Sequence, residues 1–162
     1  MTLFRDIFGI GVLLVLFGPA GVGKTTIAGK LMEALNDAHV ISSDNFRSRV
    51  YDRMLREVAD KLGRHEVLIL DATFYRKKWR EKLRDLTSGK DLIVNVFLYC
   101  SLETCLKRNR EREEAIPEAA VRTIWRGFEM PEDPDVYIDT GKLSVEEAVD
   151  KILKIIKIEP CA

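Results

Sequence analysis

The sequence predicts an α/β fold, a parallel sheet covered by helices on both faces. Three observations carry the prediction. Apolar runs of strand length alternate with segments of helical period along the chain, as repeated strand–helix–strand units require. The first run, Val12–Phe17, contains no polar residue and so reads as a strand buried on both faces. The break between it and the first helical segment holds Gly18, Gly21 and Gly23, a concentration suited to a tight backbone loop at the end of a strand.

The remaining elements follow from local pattern. Residues 24–35 place Ile27, Leu31, Ala34 and Leu35 at helical spacing, and 39–42 form a short second strand. Residues 45–62 read as a helix with Val50, Met54, Leu55, Val58 and Leu62 on one face, stopped by Gly63. Val67–Asp71 is a third strand that ends in a carboxylate. Residues 76–86 form a helix with Trp79, Leu83 and Leu86 inward, ended by Ser88 and Gly89. Leu92–Tyr99 is the fourth strand, and Ser101 caps a helix that runs to about Arg112. Pro117 stands at a first helical position, followed at helical spacing by Val121, Ile124, Trp125 and Phe128. Pro131 and Pro134 frame a turn into a fifth strand at 135–138. Ser144 and Glu147 make a capping box for a last helix to about Lys157, with Pro160 beyond its end.

Composition sets bounds. With 162 residues, 46% hydrophobic and 32% charged, the chain suits one domain, 1–162, with a real core. No repeat, linker or low-complexity stretch divides it. Lys+Arg and Asp+Glu number 26 each, so the net charge is zero and no overall basic field draws in nucleic acid. The cysteines Cys100, Cys105 and Cys161 are odd in number and lack paired spacing, which argues against a disulfide framework or a zinc site. Buried thiols in a reducing cytoplasm are expected. The apolar run 7–17 after Arg5 imitates a signal peptide, but it is too short to span a membrane as a helix and leads directly into the glycine loop. No membrane association is expected, and the sequence carries no signal for oligomeric state.

The glycine loop is a complete P-loop signature: Gly18, four residues, then Gly23-Lys24-Thr25. Gly18, Ala20, Gly21, Val22, Gly23, Lys24, Thr25 and Thr26 are therefore expected to bind ATP. Backbone N–H groups would cradle the phosphates at a helix N-terminus, Lys24 would reach the outer phosphates, and the Thr25 hydroxyl would bind Mg²⁺. In an open parallel sheet ligands sit at the carboxyl ends of the strands. Polar residues there become candidates. Asp44 could orient an attacking hydroxyl or take its proton, or simply cap the following helix; Arg47, on the same helix face, could bind an anionic acceptor. Asp71, at a strand end, would hold the metal directly or through water, with Thr73 and Arg76 nearby as acceptor contacts.

Two arginine-rich segments also stand out. Arg76, Arg80 and Arg84 recur every four residues beside Phe74 and Tyr75, a stripe that could meet a nucleotide or nucleic acid, or be an ordinary charged face interleaved with Glu81 and Asp85. Arg108, Arg110 and Arg112 could close over the site, stabilise the moving phosphoryl group and exclude water, or lie in a salt-bridged helix; Arg122 and Arg126 are weaker candidates. Thr140-Gly141-Lys142 follows the fifth strand, where its backbone could touch adenine. His39 and His65 start strands, at the wrong end of the sheet for catalysis, and read as structural.

Taken together, these motifs resemble small P-loop kinases. The 17–26 loop fits the family's phosphate loop. Ser42-Ser43-Asp44-Asn45-Phe46-Arg47 is similar to the acceptor-site Asp and Arg of polynucleotide kinases and to the Asp-Asn-Arg element of adenylylsulfate kinases. Arg108 to Arg112, with Ile116-Pro117-Glu118 and Phe128 to Pro131, looks like the lid of polynucleotide kinase and phosphoseryl-tRNA kinase relatives. Asp71-Ala72-Thr73-Phe74-Tyr75-Arg76 is closer to those kinases, whereas 128–135, 138–140 and 143–147 resemble the closing segment of adenylylsulfate kinases. The resemblance implies a three-layer α/β/α P-loop fold with strand order 2-3-1-4-5 and a helical lid at about 108–130. It implies ATP and Mg²⁺ held by Lys24 and Thr25, a hydroxyl-bearing acceptor at Asp44 and Arg47, and a lid arginine, Arg108 or Arg112. The acceptor is then a nucleotide-like small molecule or a nucleic-acid end, with adenylylsulfate as the alternative. A nucleotide switch is disfavoured, since Asn-Lys-x-Asp and Asp-x-x-Gly elements are missing; a non-catalytic nucleotide-binding module is the remaining reading.

Overall fold

A computed structural model describes residues 11–87 and 92–156. The expectations at Arg5, 7–10, Ser88, Gly89, Lys157, Pro160 and Cys161 lie outside these residues. The elements run β1 (Val12–Phe17), α1 (Lys24–Ala34), β2 (Ala38–Ser42), a 3₁₀ turn (Ser43–Asn45), α2 (Val50–Lys61), β3 (Val67–Asp71), α3 (Lys77–Thr87), β4 (Leu92–Tyr99), α4 (Leu102–Arg110), α5 (Glu118–Gly127), β5 (Val136–Asp139) and α6 (Val145–Ile156). The five strands form one parallel sheet in the order β2-β3-β1-β4-β5, as the resemblance implied.

Strand alternation sends side chains to two separate cores. Leu14, Leu16, Val67, Ile69, Val96 and Leu98 face α1 and α6, where Ile27, Leu31, Ala148 and Ile152 meet them. Leu13, Val15, Phe17, Leu68, Leu70 and Phe97 face α2 and α3, against Met54, Val58 and Leu83, with Phe128 closing one end. β1 is buried on both faces because β3 and β4 flank it and helices cover both sides. That puts its carboxyl end, and the glycine loop after it, at the centre of the sheet's edge.

Most boundaries differ from expectation by a residue or two, as fraying ends do. β5 sits one residue later than 135–138, and α3 begins at Lys77 rather than Arg76. Two corrections matter more. The helix expected over 45–62 starts only at Val50: Ser42 caps the 3₁₀ turn through Asp44 N–H, and Arg49 takes a left-handed φ of 48° that breaks the helix path. Arg47 is therefore not on a helix face. The helix expected from Ser101 to Arg112 ends at Arg110, so Arg112 lies in the loop that follows. The capping box of α6 forms as read, with Ser144 Oγ accepting Glu147 N–H at 3.1 Å and Glu147 Oε1 accepting Ser144 N–H at 3.2 Å.

Candidate functional site

At the carboxyl edge of the sheet lies a cavity of about 990 Å³. The glycine loop forms its floor. Gly18 has φ 152°, and a Cβ there would come within 2.0 Å of Leu98 O; at Gly21 (φ 90°) a Cβ would come within 2.7 Å of Cys105 O. These two glycines let the loop press against β4 and α4. Gly23 (φ 100°) is different, because a Cβ there would meet nothing within 4 Å. It opens α1 from the left-handed region, with that helix's first N–H groups at the cavity floor.

Lys24 donates to Gly18 O and Pro19 O, both at 3.0 Å, which curls its ammonium back over the loop. Burial lowers its pKa to about 8; Asp71 opposes that shift, and Arg112 adds to it. Thr25 Oγ1 donates to Asp71 Oδ2 at 2.8 Å. Asp71 is 3% exposed, and burial raises its pKa against the pull of Lys24. A hydroxyl and a buried carboxylate side by side form an oxygen donor pair that suits a hard cation such as Mg²⁺.

Across from the loop stand Ser43, Asp44 and Thr73. Asp44 is exposed, and with the helix starting at Val50 it does not serve as that helix's cap; its own N–H is turned to Ser42 Oγ at 3.4 Å. Thr73 follows β3 in an unusual turn. Phe74 is fully buried with a left-handed φ of 44°, a conformation that costs a non-glycine residue and persists only when its surroundings fix it. Tyr51 of α2 meets Thr73 Oγ1 at 2.9 Å and accepts Phe74 N–H at 3.0 Å, while Arg80 donates to Phe74 O at 2.6 Å.

The third wall comes from α4, the loop beyond it and the turn after β5. Arg108 donates to Val22 O (3.2 Å), Thr140 Oγ1 (3.0 Å) and Thr140 O (2.6 Å), joining the phosphate loop to the β5 turn. Arg110 points elsewhere and pairs with Glu118 at 2.6 Å. Arg112 lines the cavity, and its guanidinium makes no hydrogen bond or ion pair among the described residues. Ile116, Ile124, Leu143 and Ala148 give this side an apolar lining, a surface fit for a flat aromatic group.

Of the residues singled out in the sequence, Ala20 to Thr26, Asp44, Asp71, Thr73, Arg108, Arg112 and Thr140 line this one cavity. Gly18 lies beneath it. Arg47 is exposed in the stretch before α2, and Arg76 pairs with Glu129 at 3.2 Å; neither reaches the cavity wall. The Arg76–Arg80–Arg84 stripe is divided: Arg76 and Arg80 are engaged with the chain around Glu129. His39 and His65 stack at 5.2 Å at the opposite end of the sheet. Cys100 and Cys105 are buried free thiols 3.0 Å apart. Sequence reasoning did not single out Tyr51, Asn109 or the apolar lining. Ile124 and Ala148 have the helical spacing of ordinary core residues, and nothing in pattern distinguishes core from cavity wall. Among the described residues, no helix is long and apolar enough to cross a membrane.

Residues 13–131 match the family model described as AAA domain. A probable adenylyl-sulfate kinase of Halalkalibacterium halodurans is 32% identical over 159 residues, covering 83% of this chain and 77% of its own. The L-seryl-tRNA(Sec) kinase of Methanococcus maripaludis is 25% identical over 167 residues, covering 89% of this chain and 66% of its own. Among solved structures, the APS kinase of Mycobacterium tuberculosis in complex with AMPPNP and APS superposes with a TM-score of 0.69 at 18% identity, covering 92% of this chain and 99% of that one, a likeness of fold.

Proposed function

This chain belongs to the AAA domain family, and from that premise we propose that it is an ATP-dependent kinase that transfers the γ-phosphoryl group to a hydroxyl of a nucleotide-like small molecule or a nucleic-acid end. That it is a phosphotransferase of P-loop kinase type follows from its relatives. One observation carries the reading: Asp44 lines the same cavity as Lys24 and Thr25, with the phosphate loop on one side and the carboxylate on the other.

The roles follow from chemistry. The loop N–H groups and Lys24 hold the triphosphate, and Arg108 and Thr140 frame its base end beside the apolar lining. Thr25 and Asp71 would hold Mg²⁺, which when bound would supply positive charge to offset that of the phosphates. Asp44 accepts a hydrogen bond from the acceptor hydroxyl and aims its oxygen at the γ-phosphorus. Arg112, whose guanidinium has no partner among the described residues, stabilises the charge spread over the moving group. Residues 108–130 act as the lid of a single domain, and free Cys100 and Cys105 suit a reducing cytoplasm.

Transfer of label from γ-labelled ATP tests this against adenylylsulfate, nucleosides, 5′-hydroxyl oligonucleotides and seryl-tRNA. Lys24→Ala should abolish transfer with the fold intact, and unchanged turnover in that variant refutes the mechanism. Asp44→Ala should lose transfer and keep ATP affinity; lost affinity instead would make Asp44 structural. A second reading, adenylylsulfate kinase, is favoured by the 32% identical relative, and label on adenylylsulfate alone would select it.

A further inference from the structure

The buried polar side chains among the described residues are Asp71, Thr87, Asn109 and Thr140. Asp71 and Thr140 line the cavity. Thr87 bonds within its own helix, to Leu83 O and Arg84 O. Asn109 is the one these roles leave unexplained. It is 2% exposed, in the last turn of α4. Its Nδ2 donates to Ile116 O at 2.8 Å, and its Oδ1 accepts Ile116 N–H at 3.1 Å. One side chain thus pairs both backbone groups of a residue across the intervening loop, in a dry setting where such bonds are strong.

That loop, 110–115, has little else to fix it. Its residues are all exposed, and it contains no strand or helix beyond Arg110. Its other ties are turn bonds from Glu111 N–H to Arg108 O and from Arg112 N–H to Asn109 O, and the solvent-facing Arg110–Glu118 pair. Arg112 rides on this loop, and Ile116, the residue Asn109 grips, lines the same cavity.

We propose that Asn109 is a positioning residue for the phosphoryl-transfer reaction: its buried amide closes the 110–115 loop onto Ile116 and so holds Arg112 at the phosphate end of the cavity. Asn109 is not in the cavity wall. The inference rests on the reading of the cavity as an ATP site. Leucine at this position keeps the size and leaves both Ile116 groups unpaired; aspartate keeps the acceptor and loses the donor.

The test is a double-mutant cycle on binding of a fluorescent ATP analogue with Mg²⁺, using wild type, N109L, N109D, R112A and N109L/R112A, with thermal unfolding of each as a check on folding. R112A and N109L should each weaken binding about tenfold, the scale of one lost charged hydrogen bond. The double variant should bind within about twofold of R112A, because a residue that acts only through Arg112 has nothing left to act on. N109D should fall between, and the N109D/R112A cycle replaces the first if N109L does not fold. Wild-type affinity in N109L or in R112A, or losses that multiply in the double variant, overturns the proposal and leaves the kinase reading standing. If wild type itself does not bind the analogue, the kinase reading falls and takes this proposal with it.

Discussion

The two arginine-rich segments, 76–84 and 108–112, look alike in composition and have opposite fates. In the first, Arg80 lies over the rings of Phe17 (5.3 Å) and Phe128 (5.7 Å) and donates to Phe74 O and Glu129 O, each at 2.6 Å. Arg76 pairs with Glu129, which also accepts Lys77 N–H. These arginines stitch the turn after β3 to the chain leaving α5. In the second segment Arg108 is a strut as well, but one built into the cavity wall, and the Arg112 guanidinium has no partner among the described residues. An arginine whose donors are taken up by carbonyls holds structure; one whose donors face a cavity is free to hold a ligand.

Substitutions can break that comparison. The largest effect is expected at Arg112: alanine there should slow ATP turnover by about a thousandfold, the low end for a transition-state arginine, with unfolding unchanged. A variant that turns over normally removes the distinction between the segments. Arg80→Ala should do the reverse. It leaves two carbonyls and a strained turn without their donor, so chemical denaturation should report a loss of about 2–3 kcal/mol while ATP affinity survives.

The pH dependence sharpens the nucleotide side. Lys24 in the free protein loses its proton near pH 8 because burial disfavours the charge. Below that the ammonium is present to meet the triphosphate; above it, binding must first restore the proton. ATP affinity should therefore fall about tenfold between pH 7 and pH 9, and a flat profile would mean Lys24 stays charged. Its effect on folding has the opposite sense. With a folded pKa below the unfolded one, the burial cost is fully present below about pH 8 and is relieved as pH rises towards the unfolded value of 10.5. The smallest effect is expected at Arg76. Its pair with Glu129 is 52% and 43% exposed, so Arg76→Ala should cost less than about 1 kcal/mol and leave turnover alone.

Much of the fold was legible because the signals are local. The unbroken apolar run of β1, the caps at Ser101 and Ser144, and Gly63 with its φ of 82° each settle an element within a few residues of chain. The failures fall where hydrophobic period carries no signal. The late start of α2 follows from Ser42 capping a separate turn and Arg49 adopting a left-handed conformation, a choice no periodicity records. Tyr51 escaped notice because its spacing is that of a half-buried helix residue; only contact with Thr73 and Phe74 distinguishes it.

The residues alone determined the phosphate loop, the parallel α/β class and the set of charged side chains from which a site could be drawn, since glycine spacing and hydrophobic period act over short stretches of chain. Which of those charges face one another was decided by the packed molecule. Arg80 and Arg112 have the same side chain, and what separates them is what meets its donors: the Phe74 turn and the distant Glu129 for one, an open cavity for the other. Hydrogen-bond partners far apart in sequence are brought together by burial of the two cores, and no local pattern carries that information.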